Sequence, residues 1–131
     1  MRGIFSTGVL DAFSDGGFRP FDVCYGVSAG STNLAAWLAG QRGRNFKVIT
    51  DYSCRPPFID FRRFLLGGHW LDLDWLWDIT IREIRLDLQR FARQPIPLYV
   101  VATRVADGQA GYIRARAENL ETLLKASCAV Y

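Results

Sequence analysis

One serine of this chain has the surroundings of a catalytic nucleophile. Ser28 is the centre of Gly26-Val27-Ser28-Ala29-Gly30, a Gly-x-Ser-x-Gly motif. An apolar run over 21–25, typical of a short buried strand, precedes the motif, and a helical pattern over 29–41 follows it. A serine on so tight a strand-to-helix turn projects its hydroxyl out of the sheet, and the glycines leave room for a strained backbone and for substrate. The motif therefore predicts acyl transfer to water, and the alternative is a glycine-rich turn with a surface serine.

The chain offers few partners for such a serine. His69 is its one histidine, and the order Ser28, Asp60, His69 is formally that of an α/β-hydrolase triad. We favour a surface or packing role for His69, because a triad demands a geometry for which this spacing is short. One histidine and scattered cysteines do not supply the usual ligands of a metal, so we expect no metal and no cofactor.

Composition narrows the class of protein. The 131 residues are half hydrophobic and carry a net charge of +3 without a long basic run, which does not fit a nucleic-acid-binding protein. The mild positive charge would suit an anionic lipid surface. Cys24, Cys54 and Cys128 are irregularly spaced, which predicts free thiols in a reducing compartment, with Cys24 buried. No apolar stretch approaches the ~20 residues of a membrane span, and Asp11 interrupts the only run that resembles a signal peptide. We expect a cytoplasmic protein, at most peripheral to a membrane, of unknown oligomeric state.

The hydrophobic spacing predicts the elements that must position Ser28. Helices are expected over 4–14, 29–41, 44–53, 72–92 and 119–128, the last capped by Asn119. Strands are expected over 21–25, 98–104 and 111–115. Helices that alternate with apolar strands predict the α/β class, as a three-layer α/β/α sandwich around a mainly parallel sheet. Two or three strands are few for such a sheet, so the architecture is expected to be incomplete.

Several motifs, in this order along the chain, together resemble the patatin-like phospholipases, a family of serine acyl hydrolases. They are Met1-Arg2-Gly3, Thr7-Gly8-Val9-Leu10-Asp11-Ala12-Phe13, Phe21-Asp22-Val23, Gly26-Val27-Ser28-Ala29-Gly30-Ser31-Thr32-Asn33, Val101-Ala102-Thr103-Arg104 and Lys125-Ala126-Ser127-Cys128-Ala129-Val130. Gly67-Gly68 and the run 71–76 resemble a bacterial branch of the family. The resemblance spans essentially the whole chain, so we expect residues 1–131 to form a partial patatin-like domain, truncated at both ends.

The resemblance implies a mechanism with a Ser–Asp dyad. Ser28 would attack a lipid ester to form an acyl-enzyme, and the aspartate would belong to an Asp-Gly-Gly or Asp-Gly-Ala motif that lies beyond the end of this chain. The family's glycine-rich loop, G-G-G-x-R-G, supplies oxyanion-hole amides, and Arg2 and Gly3 match its last two positions. Gly3 and the N–H of Ala29 are therefore the expected oxyanion donors, the latter by the general rule for such elbows. Arg2 would order that loop or meet a phosphate or carboxylate, unless it is simply a solvated terminal side chain.

The resemblance thus implies a lipid acyl hydrolase of the phospholipase or lysophospholipase type, and without its aspartate we expect this chain alone to be inactive. The alternative is a catalytically inactive patatin-like module that binds acyl chains or a protein partner. Two other aspartates have a glycine after them: Asp15 is interpreted as a turn at a helix end, and Asp107 as a hairpin turn.

An aromatic and basic region follows the double proline at 56–57. Its members are Phe58, Phe61, Arg62, Arg63, Phe64, Trp70, Trp75 and Trp77. These residues could line an acyl groove or touch a lipid interface, while the commoner fate of such rings is the core, which we favour for Trp77. The basic, glycine-containing segment 40–44 lacks the end of a phosphate-binding loop and is interpreted as a helix C-cap and loop.

Overall fold

A computed structural model of the chain describes residues 3–60, 65–68 and 71–129. Helices and strands alternate along it, as the α/β class requires. The helices are α1 (Gly3–Asp15), α2 (Ala29–Leu38), α3 (Arg44–Lys47), α4 (Leu73–Glu83), α5 (Leu88–Arg93) and α6 (Leu120–Cys128), with one π-helical turn at Val48–Tyr52 directly after α3. The strands are β1 (Cys24–Val27), β2 (Leu98–Thr103) and β3 (Ala110–Arg114).

The three strands form one mixed sheet in the order β1-β2-β3. β1 pairs with β2 in parallel, from Cys24 opposite Leu98 to Val27 opposite Val101. β3 returns antiparallel to β2. Asp107-Gly108 forms the intervening turn, as predicted, and Gly108 adopts a left-handed φ of 69° that glycine accepts without a steric cost.

Helices α2 and α6 pack against one face of this sheet. That face carries Cys24, Leu98 and Val100, all of them buried in the main hydrophobic core. The opposite face of the described sheet presents tyrosines, of which Tyr25 and Tyr99 stack with their ring centroids 5.3 Å apart. The α/β class and the burial of Cys24 are therefore confirmed.

Strand β1 begins three residues later than the apolar run predicts. The first backbone bond of the strand comes from the Cys24 N–H to the Pro97 carbonyl, at 2.9 Å. Phe21, the first residue of the run, instead joins Phe18 and Trp37 in an aromatic cluster beside α2. Packing of rings thus overrides the strand propensity at this end of the run.

The predicted helix over 72–92 is two helices. α4 ends at Glu83, and Asp87 starts α5 because its carboxylate accepts the Arg90 N–H at 2.9 Å, a favoured N-cap interaction. Gln41 bridges the break, since its side chain donates to the Arg85 carbonyl and accepts the Asp87 N–H.

The predicted cap of α6 is wrong in its chemistry. Asn119 occupies the N-cap position but makes no side-chain bond to the helix. Its amide points back along the chain instead, where it accepts the Arg116 N–H at 2.7 Å and donates to the Arg114 carbonyl at 3.2 Å. Asn119 therefore stabilises the turn that precedes α6.

Some predicted positions lie outside the described residues. They are Arg2, Phe61, Arg62, Arg63, Phe64, His69 and Trp70. Among the described helices, none combines the length and the apolar character that a membrane span needs.

Candidate active site

Ser28 occupies a sharp turn between strand and helix, as the motif predicts. It follows Val27, the last residue of β1, and immediately precedes α2. Its backbone, at φ 49° and ψ −125°, is the only positive φ among the non-glycine residues that the structure describes. Such a conformation costs a non-glycine residue about 1–3 kcal/mol and persists only where surrounding contacts enforce it. The strain therefore indicates that contacts around Ser28 enforce its backbone conformation.

Contacts on both sides of the peptide enforce this turn. The Ser28 carbonyl accepts the Ser31 N–H at 2.9 Å and the Ser31 hydroxyl at 2.5 Å, so the first turn of α2 grips it. The Ser28 N–H donates to the Ser127 hydroxyl at 2.8 Å, which ties the turn to α6. Both backbone groups of Ser28 are therefore satisfied, and neither is available to hydrogen-bond a substrate.

The two glycines of the motif have different reasons to be glycine. A Cβ built on Gly26 would lie 2.5 Å from the Ser31 Cα, so this residue must lack a side chain for α2 to pack over β1. A Cβ on Gly30 would meet nothing within 4 Å. In the described structure, the space beside Gly30 is open.

The predicted oxyanion residues lie side by side at the elbow. Ala29 is the first residue of α2, where a backbone N–H has no acceptor within the helix. Gly3 begins α1, and a Cβ built on it would lie 3.3 Å from the Ala29 Cβ. The structure therefore brings Gly3 and Ala29 together beside Ser28, while Arg2 lies outside the described residues.

Asn33 fastens the start of α1 to the elbow helix. Its side-chain amide, 3% exposed, donates to the Gly3 carbonyl and to the Ser6 hydroxyl, both at 2.9 Å. Its carbonyl oxygen accepts the Asn45 side-chain amide at 2.8 Å. Gly3 is thus held in place by α2 itself.

An apolar cavity of about 330 Å³ opens beside Ser28. Its hydrophobic walls come from the π-helical turn, from the aromatic region and from α6, and include Val48, Ile49, Phe58, Leu76, Trp77 and Leu124. Phe58 is buried, and Trp77 packs partly against the core while it also lines this cavity. An apolar pocket of this size suits a ligand with a hydrocarbon chain.

One buried cation lies in the cavity wall. Arg44 is 8% exposed, and its guanidinium donates to the Ile84 carbonyl at 2.8 Å and to the Asn45 side chain at 2.7 Å. Burial lowers the pKa of Arg44 to about 10. The segment 40–44 does form the predicted helix end and loop, with Gly40 and Gly43 at positive φ, but its last residue is part of the site.

Cys128 is the titratable side chain that interacts with Ser28. The thiol lines the cavity at the end of α6. Burial raises the pKa of the Cys128 thiol, and a hydrogen bond from the Ser28 side chain offsets part of that rise. Within the described part of the chain, no carboxylate is hydrogen-bonded to the Ser28 side chain.

The two aspartates with a following glycine are engaged elsewhere. Asp15 ends α1 and forms a bidentate pair with Arg42, which holds its pKa below the usual range. Asp107 pairs with Arg104 within the β2–β3 turn, and its pKa is lowered in the same way. Both therefore serve the turns predicted for them. The surface or packing role that we favour for His69 stays a prediction, since His69 lies outside the described residues.

Sequence reasoning missed the polar side chains that support the elbow. Asn33 and Asn45 lie on different helices, and Ser127 is 99 residues from Ser28. The signal that could have found Asn33 is a polar residue on an otherwise apolar helix face, where a buried amide demands partners. Ser127 lies in the segment 125–130 that resembles the patatin-like family, but the resemblance gave no role for this residue.

Comparisons with known proteins identify the family of this chain. The sequence profile described as patatin-like phospholipase matches residues 1–131. A protein of Escherichia coli, YjjU, described as uncharacterized, is 38% identical over 132 residues, an alignment that covers 98% of this chain. The chain spans 37% of the length of that relative. No solved structure matches significantly. The chain belongs to the patatin-like phospholipase family.

Proposed function

We propose that Ser28 is the nucleophile of a serine hydrolase that cleaves lipid esters. The observation that carries this proposal is the strained Ser28 in the lining of an apolar cavity of about 330 Å³. The Ser28 Oγ attacks the ester carbonyl, an acyl-enzyme forms as the alcohol leaves, and water then releases the fatty acid. The cavity holds the acyl chain and excludes water from it.

Two backbone amides would stabilise the oxyanion. The Ala29 N–H is free of the helix ladder and follows the nucleophile directly, which is the position of the first donor in elbow hydrolases. Gly3 is the second candidate, because it lies against Ala29 and is fixed there by Asn33. Donors that are already held in place need no reorganisation when charge develops on the oxygen.

The base in this proposal is an aspartate outside these 131 residues, which forms a Ser–Asp dyad. It takes the Ser28 proton during attack and returns it to the leaving alcohol oxygen. In the next half-reaction it takes a proton from the attacking water and returns it to Ser28. The support is that, among the described residues, no carboxylate is bonded to Ser28, while the matched relative is much longer than this chain.

An alkyl fluorophosphonate tests the nucleophile, because it labels only serines that are activated. We expect the 131-residue chain to stay unlabelled and a protein that extends it on both sides to be labelled at Ser28. Ser28→Ala should abolish labelling, whereas Ser53→Ala, which removes another buried cavity hydroxyl, should not. An extended, folded protein that is not labelled would contradict the proposal, and ester hydrolysis by the 131 residues that depends on His69 would overturn the dyad.

A second candidate function is binding without catalysis. The apolar cavity favours it, because a site that encloses an acyl chain can bind one without a base. Fatty-acid binding by the extended protein, with neither labelling nor ester hydrolysis, would establish this function instead.

A further inference from the structure

The hydroxyl of Ser127 joins two backbone groups that lie far apart in the sequence. It accepts the N–H of Ser28 at 2.8 Å and donates to the carbonyl of Val101 at 2.5 Å. Ser127 is the penultimate residue of α6, and Val101 lies in β2. One side chain thus connects the elbow, the neighbouring strand and the last helix.

The register of the sheet shows what this hydroxyl replaces. The Cys24 N–H donates to the Pro97 carbonyl, and Cys24 lies opposite Leu98. In a parallel pair, alternate N–H groups of one strand donate to evenly spaced carbonyls of the next. Continued along the strands, this pattern pairs the Ser28 N–H with the Val101 carbonyl. Both groups bond to Ser127 instead, so its hydroxyl is inserted where the next rung of the ladder would form.

We propose that Ser127 is a positioning residue that keeps Ser28 out of the sheet. A direct bond from the Ser28 N–H to Val101 would draw Ser28 toward extended strand geometry, whereas the inserted hydroxyl lets it turn at φ 49° with both groups satisfied. The role needs one group that donates and accepts at once, which serine and threonine supply and alanine does not. This inference rests on the proposed role of Ser28 as the nucleophile.

The rival explanation is that Ser127 only fastens α6 to the sheet. The two explanations differ in which backbone amides lose protection when the Ser127 hydroxyl is removed. A fastening role predicts a loss that spreads over β1, β2 and α6, whereas a positioning role predicts a change concentrated at Ser28.

Amide hydrogen exchange separates the two without any need for catalysis. In Ser127→Ala we expect the Ser28 amide to exchange at least about tenfold faster relative to the other β1 amides, the equivalent of one hydrogen bond. Ser127→Thr should restore protection. Ser53→Ala is the control, since it removes a part-buried hydroxyl that is bonded to the Val48 carbonyl in the cavity that Ser28 lines, and it should leave Ser28 protected.

A crystal structure of Ser127→Ala provides the second readout. We expect Ser28 to have lost its positive φ. Where its N–H bonds directly to the Val101 carbonyl, the amide stays protected although the turn is gone. A retained positive φ together with unchanged exchange, or faster exchange spread evenly over β1 and β2, would overturn the proposal. Should Ser127→Ala not fold, Ser127→Cys keeps a side chain of similar size with a much weaker donor, and the same readouts apply.

Fluorophosphonate labelling of the extended protein links the position to reactivity. Ser127→Ala should slow labelling about tenfold or more, with Ser127→Thr within about threefold of wild type. Loss of labelling in every variant, wild type included, would refute the proposed function, while the exchange and crystallographic results would still decide the role of Ser127.

Discussion

Gly26 lies directly against Ser31, so that a Cβ on the glycine would come within 2.5 Å of the Ser31 Cα and 2.9 Å of its Cβ. Ser31 is fully buried and cannot retreat, because its hydroxyl is bonded to the Ser28 carbonyl. The first glycine of the motif is thus a packing requirement of the elbow. The second glycine, Gly30, has no such neighbour.

This contrast predicts opposite effects for two alanine substitutions. Gly26→Ala should lower the free energy of unfolding by about 3 kcal/mol or more, because the obstacle is helix backbone. Gly30→Ala should leave it unchanged or raise it by about 0.5–1 kcal/mol, because alanine is the better helix former. Urea denaturation of both variants measures the difference, and similar losses in the two would contradict the packing argument.

Asn33 provides a second test of what holds the site together. Asn33→Ala removes the donor to Gly3 and leaves the Asn45 amide without its acceptor, so we expect a loss of about 2–3 kcal/mol in unfolding free energy. Thr32→Ala is the matched control, since the Thr32 hydroxyl makes a single solvent-exposed hydrogen bond, to the Ala29 carbonyl, and its loss should cost under about 1 kcal/mol. Chemical denaturation measures the loss in unfolding free energy for both variants. Equal losses would show that the hydrogen bonds of Asn33 do not contribute to stability.

The part of the site that could be predicted from sequence is the part that is local. The elbow follows from five consecutive residues, because a glycine-flanked serine between strand and helix patterns has few conformations open to it. The hydrogen-bond partners of Asn33, Asn45 and Ser127 could not be predicted, because those contacts depend on how distant helices pack. The same reason explains β1, where ring packing around Phe21 decides the start of the strand.

The ends of the helices also depend partly on local sequence and partly on distant contacts. Spacing predicted one helix over 72–92, since its apolar residues keep a helical period across the break. The break depends on the burial of Leu86 and on the bridge from Gln41, a residue more than forty positions away. No local pattern contains that information.

The three cysteines should differ in reactivity. Cys54 is exposed, whereas burial raises the pKa of both Cys128 and Cys24 and so lowers their thiolate fraction. With iodoacetamide at pH 8 we expect alkylation first at Cys54, then at Cys128 and last at Cys24, as followed by mass spectrometry. Decanoic acid should slow alkylation of Cys128 alone, because only that thiol lines the cavity. Faster reaction of Cys128 than of Cys54 would contradict the burial of the site.

Glu121 should make stability depend on pH. Arg85 holds it with two hydrogen bonds, at 2.9 and 2.8 Å, which keeps the pKa of Glu121 below its usual value. A carboxylate with a lowered folded-state pKa stabilises the protein above its unfolded pKa, and that contribution is lost as pH falls through the folded value. At pH 7 the free energy of unfolding of the wild type should exceed that of Glu121→Gln by up to about 1 kcal/mol. The difference is small because Arg85 is more than half exposed, so solvent screens the pair.

The advantage over Glu121→Gln should begin to shrink near pH 4.3, the ordinary glutamate pKa, and vanish below the lowered folded-state value. Thermal unfolding across this range measures it. Glu118→Gln, at an exposed position nearby, is the control and should track the wild type. An advantage that grows on acidification would reverse the sign of the argument.

The cavity should set the length of acyl chain that the site accepts. Val48 lines the cavity beside Ser28, so Val48→Trp fills part of it, while Val105→Trp adds the same ring at a turn position that is 88% exposed. Each buried methylene contributes about 0.8 kcal/mol, so exclusion of two or three should weaken binding of a twelve-carbon fatty acid by about 15- to 60-fold. A four-carbon acid should bind equally well to both variants. Calorimetric titration of the chain-length series measures this, and a uniform loss at every length would mean that Val48→Trp disturbs the fold, not the depth of the pocket.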